Sequence, residues 1–309
     1  MRTLALIVAV CLSIAPTAFA DSSSAPLELM VLGSGGPGAT GRAASCYLVL
    51  VDGTARILVD AGPGAFVRLG ESRLSVSDTD IVLLTHLHID HAGELAGLFK
   101  ARAVSSGDPI VFKVWGPAGT GAPHKGAYFP STSRFIDLLF GKAGAFAYLS
   151  DFAAPITIQA HDIPSKVRSD PVPKAIFSEG GLLITAVAGH HRDAPAVIYR
   201  IDYAGRSITF SGDIDAQGLS GLRTIAKGSD LLVFNSVVLD PPGSRPVLYE
   251  LHTPPQAIGA LARDAGVHSL LLSHLSPAVE DNRDDVTASI KRNYQGPVSF
   301  AVDGTLVRP

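Results

Sequence analysis

The chain has 309 residues, 47% hydrophobic and 17% charged, so it holds ample apolar material for a packed core and is not a disordered chain. Its formal charge is −3, from 25 Lys and Arg against 28 Asp and Glu. No basic cluster accompanies it, which counts against a large polyanionic partner.

The first twenty residues stand apart. Arg2 precedes an apolar run over residues 4–14, and Ala18-Phe19-Ala20 then offers small residues at the two positions a signal peptidase reads. This is the layout of a cleavable secretory leader, and the run falls short of the roughly 20 residues needed to span a bilayer. The expectation is a signal peptide over 1–20 and one domain over 21–309. The protein would then be periplasmic or secreted, with no membrane attachment after cleavage. Loss of Arg2 with the leader would leave a charge of −4. Cys46 would be the one remaining cysteine, without an internal disulfide partner, and reads as a buried strand residue.

Apolar runs at 27–32, 46–51 and 56–59 predict strands; the first runs into the glycine loop 33–38, and Asp52-Gly53 turns between the other two. A short buried strand follows at 81–84 and a helix at 91–100. A strand at 110–115 leads into a Gly- and Pro-rich loop at 116–130, then a helix at 131–140. From 141 to 180 the pattern is irregular, with prolines at 155, 164, 171 and 173. Strands at 182–188, 196–202 and 207–210 come next, then a helix at 219–227 and a strand at 230–235. Two helix–strand pairs, 254–265 with 268–272 and 284–292 with 298–302, close the chain. Strands first, then alternating helices and strands, predict an α/β (α+β) fold: two mixed sheets face to face, covered by helices, αββα.

The segment Thr85-His86-Leu87-His88-Ile89-Asp90-His91-Ala92-Gly93 lies between a predicted buried strand and a helix. Three imidazoles and a carboxylate within six residues suit zinc. His86 and His88 can point the same way, while Asp90 and His91, at the helix start, can face a second centre. Further candidates sit just past later strands: His190 and His191, Asp213, and His274. Strand ends are where loops gather into a site. His124, His161 and His268 fall outside this pattern and read as surface or core residues. Asp60 reads equally as a support for a ligand histidine or as a turn residue beside Gly62. Trp115, Tyr128 and Phe129 read as core or as pocket lining.

The run 86–93 matches the HxHxDH signature of the metallo-β-lactamase superfamily. The third histidine, Gly212-Asp213 and the last histidine fall in that family's order, so the chain resembles it over nearly all of residues 21–309. The resemblance implies the four-layer αββα sandwich, a metal-dependent hydrolase and two metal ions, Zn2+ first and Mn or Fe as alternatives. It implies that His86, His88 and His191 hold one ion, that Asp90, His91 and His274 hold the other, and that Asp213 bridges them. Pro195, Tyr199 and Arg200, counted from His191, resemble the ribonuclease Z and arylsulfatase-like branch and favour His191 over His190. Leu32-Gly33-Ser34-Gly35-Gly36-Pro37, His252-Thr253 with Gln256-Ala257, and Leu272-Ser273-His274-Leu275-Ser276 resemble the same branch. His252 would then assist the leaving group, which makes His252, Asp213 and Asp90 the catalytic candidates.

The chain also departs from ribonuclease Z. It carries the leader, lacks a basic Gly-rich arm for tRNA, and has no acidic residue in Leu231-Leu232-Val233-Phe234-Asn235-Ser236, where that branch places one to pair with the assisting histidine. The expected substrate is therefore a small-molecule phosphate or sulfate ester rather than tRNA, hydrolysed by a metal-activated water in a phosphodiesterase- or arylsulfatase-like enzyme. The alternatives are a lactonase or β-lactamase-type hydrolase and a non-catalytic exported binding protein. Asp213 argues against zinc β-lactamases that carry Cys there, and all seven ligand positions are present, against a binding protein. The segment 116–180 is the candidate for substrate selection.

Overall fold

Along β1 (Leu27–Gly33), Leu27, Leu29 and Val31 point to one face while Met30 and Leu32 point to the other, and both sets are buried. A strand apolar on both faces belongs in a middle layer, and this pattern recurs along the chain. The computed structural model describes residues 25–121, 128–152, 155–192 and 194–309; the leader expectation and His124 lie outside them. β2 (Cys46–Val51), β3 (Thr54–Val59), β4 (Ile81–Leu83), β5 (Ile110–Pro117), β6 (Ile156–Ile163), β7 (Lys174–Glu179) and β8 (Leu182–His191) follow. Then come β9 (Ala194–Tyr203), β10 (Arg206–Phe210), β11 (Leu231–Asn235), β12 (Ser269–Ser273), β13 (Val298–Phe300) and β14 (Leu306–Val307).

They form two seven-stranded sheets, ordered β14-β1-β2-β3-β4-β5-β6 and β13-β12-β11-β10-β9-β8-β7. The inner faces meet in one core in which Val49, Ile57, Val59, Ile81 and Leu83 pack with Ile184, Val197, Tyr199, Phe210 and Val233. The outer face of the first sheet is covered by α1 (Ala65–Ser72) and, past the short α2 (Ile89–Ala92) that follows β4, by α3 (Leu95–Val104) and α4 (Thr132–Phe140). The second is covered by α5 (Leu219–Ile225), α6 (Pro255–Asp264), α7 (Pro277–Asp281) and α8 (Arg283–Lys291). The αββα order is the expected one. None of the described helices is long and apolar enough to cross a membrane.

Several stretches differ from expectation: α1, α7 and β14 have no counterpart in the expected elements. The helix expected over 91–100 is two helices, because Glu94 leaves the spiral: Gly93 N–H still closes on Ile89 O at 2.8 Å, but Glu94 N–H turns away to Ala61 O at 2.8 Å. The irregular region 141–180 contains β6 and β7, both edge strands. Its prolines at 155 and 164 lie just outside β6, and those at 171 and 173 just before β7, where no ladder hydrogen bond is lost.

Strands β3, β4 and β5 are parallel, so their C-terminal ends share one rim of the first sheet. In the second sheet β10, β11 and β12 are parallel, and β8 runs with them because both β8 and β10 are antiparallel to β9. The rims are stitched together by Val197 N–H to Thr85 O at 2.8 Å and Tyr199 Oη to Leu84 O at 3.0 Å.

Candidate metal centre

Every candidate ligand lies on these two rims. Asp60 ends β3, and His86, His88, Asp90 and His91 follow β4. His191 ends β8, Asp213 follows β10, and His274 follows β12. The structure brings the seven expected ligands together with His252. The donor atoms fall into the sets His86–His88–His191, His86–His91–Asp213, Asp90–His91–His274 and His191–Asp213–His252, each within 4.8 Å of one another.

One carboxylate oxygen is the hub. Asp213 Oδ2 lies 3.4 Å from His274 Nε2, 3.6 Å from His91 Nε2, 3.7 Å from His191 Nε2 and 3.9 Å from His86 Nε2. Asp90 Oδ2 lies 3.1 Å from His274 Nε2 and 3.7 Å from His91 Nε2. All of these side chains are buried or nearly so.

The outward nitrogens show which ring atoms face inward. His91 Nδ1 stands 2.7 Å from Asp60 Oδ2, and His191 Nδ1 stands 2.8 Å from Leu251 O. At His191 the carbonyl can only accept, so Nδ1 donates and, in the neutral ring, Nε2 is bare; at His91 the same kind of bond turns Nε2 inward. Thr85 Oγ1 gives its proton to Asp60 Oδ2 at 2.8 Å and can then only accept from His86 Nδ1 at 3.2 Å. His86 Nε2 is therefore bare as well, 3.1 Å from His88 Nδ1. Imidazole nitrogens converging on a carboxylate, with His91 Nε2 buried and unpartnered among the described residues, are a donor set that a cation would complete. Nitrogen and carboxylate donors in this arrangement suit divalent metal ions.

The electrostatics agree. Burial, with neighbouring imidazoles, holds His86 and His88 below the ordinary imidazole range, in the unprotonated state a ligand needs. At His91 burial is outweighed by Asp60 and Asp213, which raise it: this pocket draws positive charge. Burial also opposes ionisation of Asp213, yet His274, His252 and His91 hold it well below the usual carboxylate range.

His191 is the residue turned inward, not His190. The strand runs three residues past the expected 182–188, and neighbouring strand residues face opposite sides. His190 points away and pairs with Asp215 Oδ2 at 2.6 Å. His252 is buried beside His191 and His274, with ring centroids 5.3 and 5.9 Å away. Burial pushes it down to about 4, so at neutral pH it is an uncharged imidazole with one N–H to offer. Phe129 packs against His88 at 5.7 Å and lines the site, whereas Trp115 belongs to the inter-sheet core and stacks on His161. His268 is exposed and pairs with Asp230 at 3.4 Å.

Asp60 sits at φ 56°, a left-handed conformation uncommon outside glycine, and from there takes Thr85 N–H at 2.7 Å, Thr85 Oγ1 and His91 Nδ1. It supports two histidines at once, directly and through Thr85. Asp60→Asn keeps the shape but cannot accept all three bonds. It is expected to weaken metal binding ~10–100-fold in a chelator competition; unchanged affinity would reduce Asp60 to a turn residue. The sequence reading passed over Thr85, Gly36 and Asn235. Asn235 Nδ2 donates to Asp213 Oδ1 at 2.8 Å, fixing the hub carboxylate. It stands at the end of an apolar strand, the context that singled out the other ligands. Where an acidic residue was missed in 231–236, this amide faces Asp213.

The fold and this site define a metal-dependent hydrolase of the metallo-β-lactamase kind. The chain belongs to that superfamily: the family described as Beta-lactamase superfamily domain matches residues 55–275. Ribonuclease Z of Mycobacterium avium (strain 104) is 27% identical over 288 residues, covering 90% of this chain and 96% of the relative. Among solved structures, the metallo-β-lactamase fold protein YhfI from Bacillus subtilis matches with a TM-score of 0.66 and 20% identity, over 91% of this chain and 99% of its own. The short form of human tRNase Z matches with a TM-score of 0.66 and 20% identity, over 91% and 98%.

Proposed function

We propose that the protein is a dinuclear zinc hydrolase of phosphate or sulfate esters, exported by its N-terminal leader and acting on small substrates. The observation that carries the reading is the four imidazole nitrogens around Asp213 Oδ2, with Asp90 completing one side. His86, His88 and His191 would hold one ion, Asp90, His91 and His274 the second, and Asp213 both. A bound pair of such ions supplies a water of lowered pKa and positive charge beside the ester oxygen.

The remaining work falls to the chain. Asp213, held by Asn235 Nδ2 at 2.8 Å, would keep its negative charge at the centre and take a hydrogen bond from the attacking water. Asp60 and Leu251 O set the ring orientation of His91 and His191 before substrate arrives. His252, buried at the edge of the cluster, offers its N–H to the leaving oxygen. Phe129 gives an apolar wall next to His88 against which a leaving group can pack. The ester class is supported by relatives named ribonuclease, since RNA is a phosphodiester. The small substrate is supported by the acidic net charge and by the absence of a basic cluster in the sequence.

The test combines elemental analysis with a panel of bis-aryl phosphodiester, aryl sulfate, RNA, lactone and nitrocefin-type substrates. Two zinc ions per chain with turnover of the phosphodiester or sulfate is the expected result. Turnover confined to RNA would overturn the small-substrate reading, and turnover confined to lactone or nitrocefin would overturn the ester class.

A further inference from the structure

Asp303 lies where the chain crosses from β13, in the second sheet, to β14, in the first. Its Oδ1 accepts from Ser34 N–H at 3.0 Å and Ser34 Oγ at 2.6 Å. Its Oδ2 accepts from Ala43 N–H at 2.8 Å and Arg68 Nε at 3.2 Å. Both limbs of the glycine loop between β1 and β2 therefore close on one carboxylate, whose side chain is 9% exposed. Arg42 adds a second tie, donating to Ser34 Oγ at 2.7 Å and Ala301 O at 3.1 Å and pairing with Glu280 at 2.8 Å.

The other side of this loop is the seat of His274. Ser34 O accepts Leu275 N–H at 2.8 Å, and Gly35 bridges to Leu275. Gly36 lies against the ring so closely that a Cβ there would come within 2.6 Å of His274 Cε1. His274 itself sits at φ 54°, a conformation a histidine keeps only when its surroundings impose it. Ser34 thus joins the two halves: its N–H and hydroxyl rest on Asp303, and its carbonyl pins the residue after His274. The carboxylate reaches the seat of His274 through two successive hydrogen bonds.

We propose that Asp303 is a positioning residue for the His274 half of the metal centre, holding the glycine loop that presses His274 into ligand geometry. The inference rests on the dinuclear reading above. Loss of the carboxylate frees both loop limbs. It leaves the His86–His88–His191 side untouched, because His86 is oriented by Thr85 and His191 by Leu251 O.

The test is titration of the metal-free full chain with Co2+, followed by its absorption spectrum and by elemental analysis. Asp303→Ala and Asp303→Asn would be compared with His274→Ala and His88→Ala as references for the two sides. The expected result is that Asp303→Ala weakens one ion ~10–100-fold, with the spectral change of His274→Ala, while the other ion titrates as in the unmutated protein. Gly36→Ala should give the same one-sided loss. Equal weakening of both ions, or unchanged binding, would overturn the inference. If Asp303→Ala does not fold, the same comparison is made on Asp303→Asn, with a smaller one-sided loss expected. An unmutated protein holding one ion would sink the dinuclear reading alone. Asp303→Ala would then still have to weaken that ion as His274→Ala does, and an unchanged affinity would overturn the positioning role.

Discussion

Asp213→Ala is expected to leave less than one metal ion per chain and no ester hydrolysis above background. The argument is electrostatic. Among the described residues, Asp213 Oδ2 is the one anionic atom within 4 Å of His86, His91, His191 and His274 together. It is also the only ligand assigned to both ions. Removing one member of a buried charge pair costs about 3–5 kcal/mol, which is a loss of ~10²–10⁴ in affinity for each ion that depended on it. Asp213→Asn keeps the bond to Asn235 possible but removes the charge, and should fall between. Elemental analysis after gel filtration reads the result. Two ions retained in the Ala variant would mean that the histidines and Asp90 suffice, and the bridging role would be wrong.

His252→Ala should behave in the opposite way, keeping both ions and losing ~10²–10⁴-fold in kcat, the range for a lost proton donor or acceptor in the reacting complex. The loss should shrink for substrates with acidic leaving groups, such as nitrophenyl esters, because a good leaving group needs no help. A structural defect would slow all substrates alike. The geometry leaves a clear way to fail: His191, Asp213 and His252 also form a set within 4.8 Å. If the variant drops an ion before it drops rate on poor leaving groups, His252 is a ligand and not an assistant.

Much of this centre was legible in the sequence because its chemistry is local. His86, His88, Asp90 and His91 announce themselves within six residues, and the later ligands each follow an apolar strand. The layers were legible for a related reason, since strands buried on both faces leave near-continuous apolar runs. What stayed hidden depended on long-range contact. Asp60 was balanced between two roles until its bonds to Thr85 and His91, 25 and 31 residues on, could be seen. Asp303 meets Ser34 across 269 residues, and no spacing rule reaches that far. β6 was masked by prolines that punctuate its ends rather than interrupt it. The spacing to Pro195, Tyr199 and Arg200 favours His191 over His190, and the continuation of β8 through both residues supplies the physical reason, since alternation turns them to opposite faces.

The ligands come from both rims, His86, His88, Asp90 and His91 from one sheet and His191, Asp213 and His274 from the other. Ions seated among them are rivets through the sandwich. Any ion that binds the folded chain and not the unfolded one adds about 4.1 kcal/mol when its free concentration is a thousand times its dissociation constant. The resting lifetime of this protein is thereby tied to its surroundings. Where divalent metal is scarce, the sheets would be held by apolar packing and a few hydrogen bonds across the rims, and the chain would be more readily opened and degraded. Its abundance would then report the local metal supply, whatever ester it cleaves.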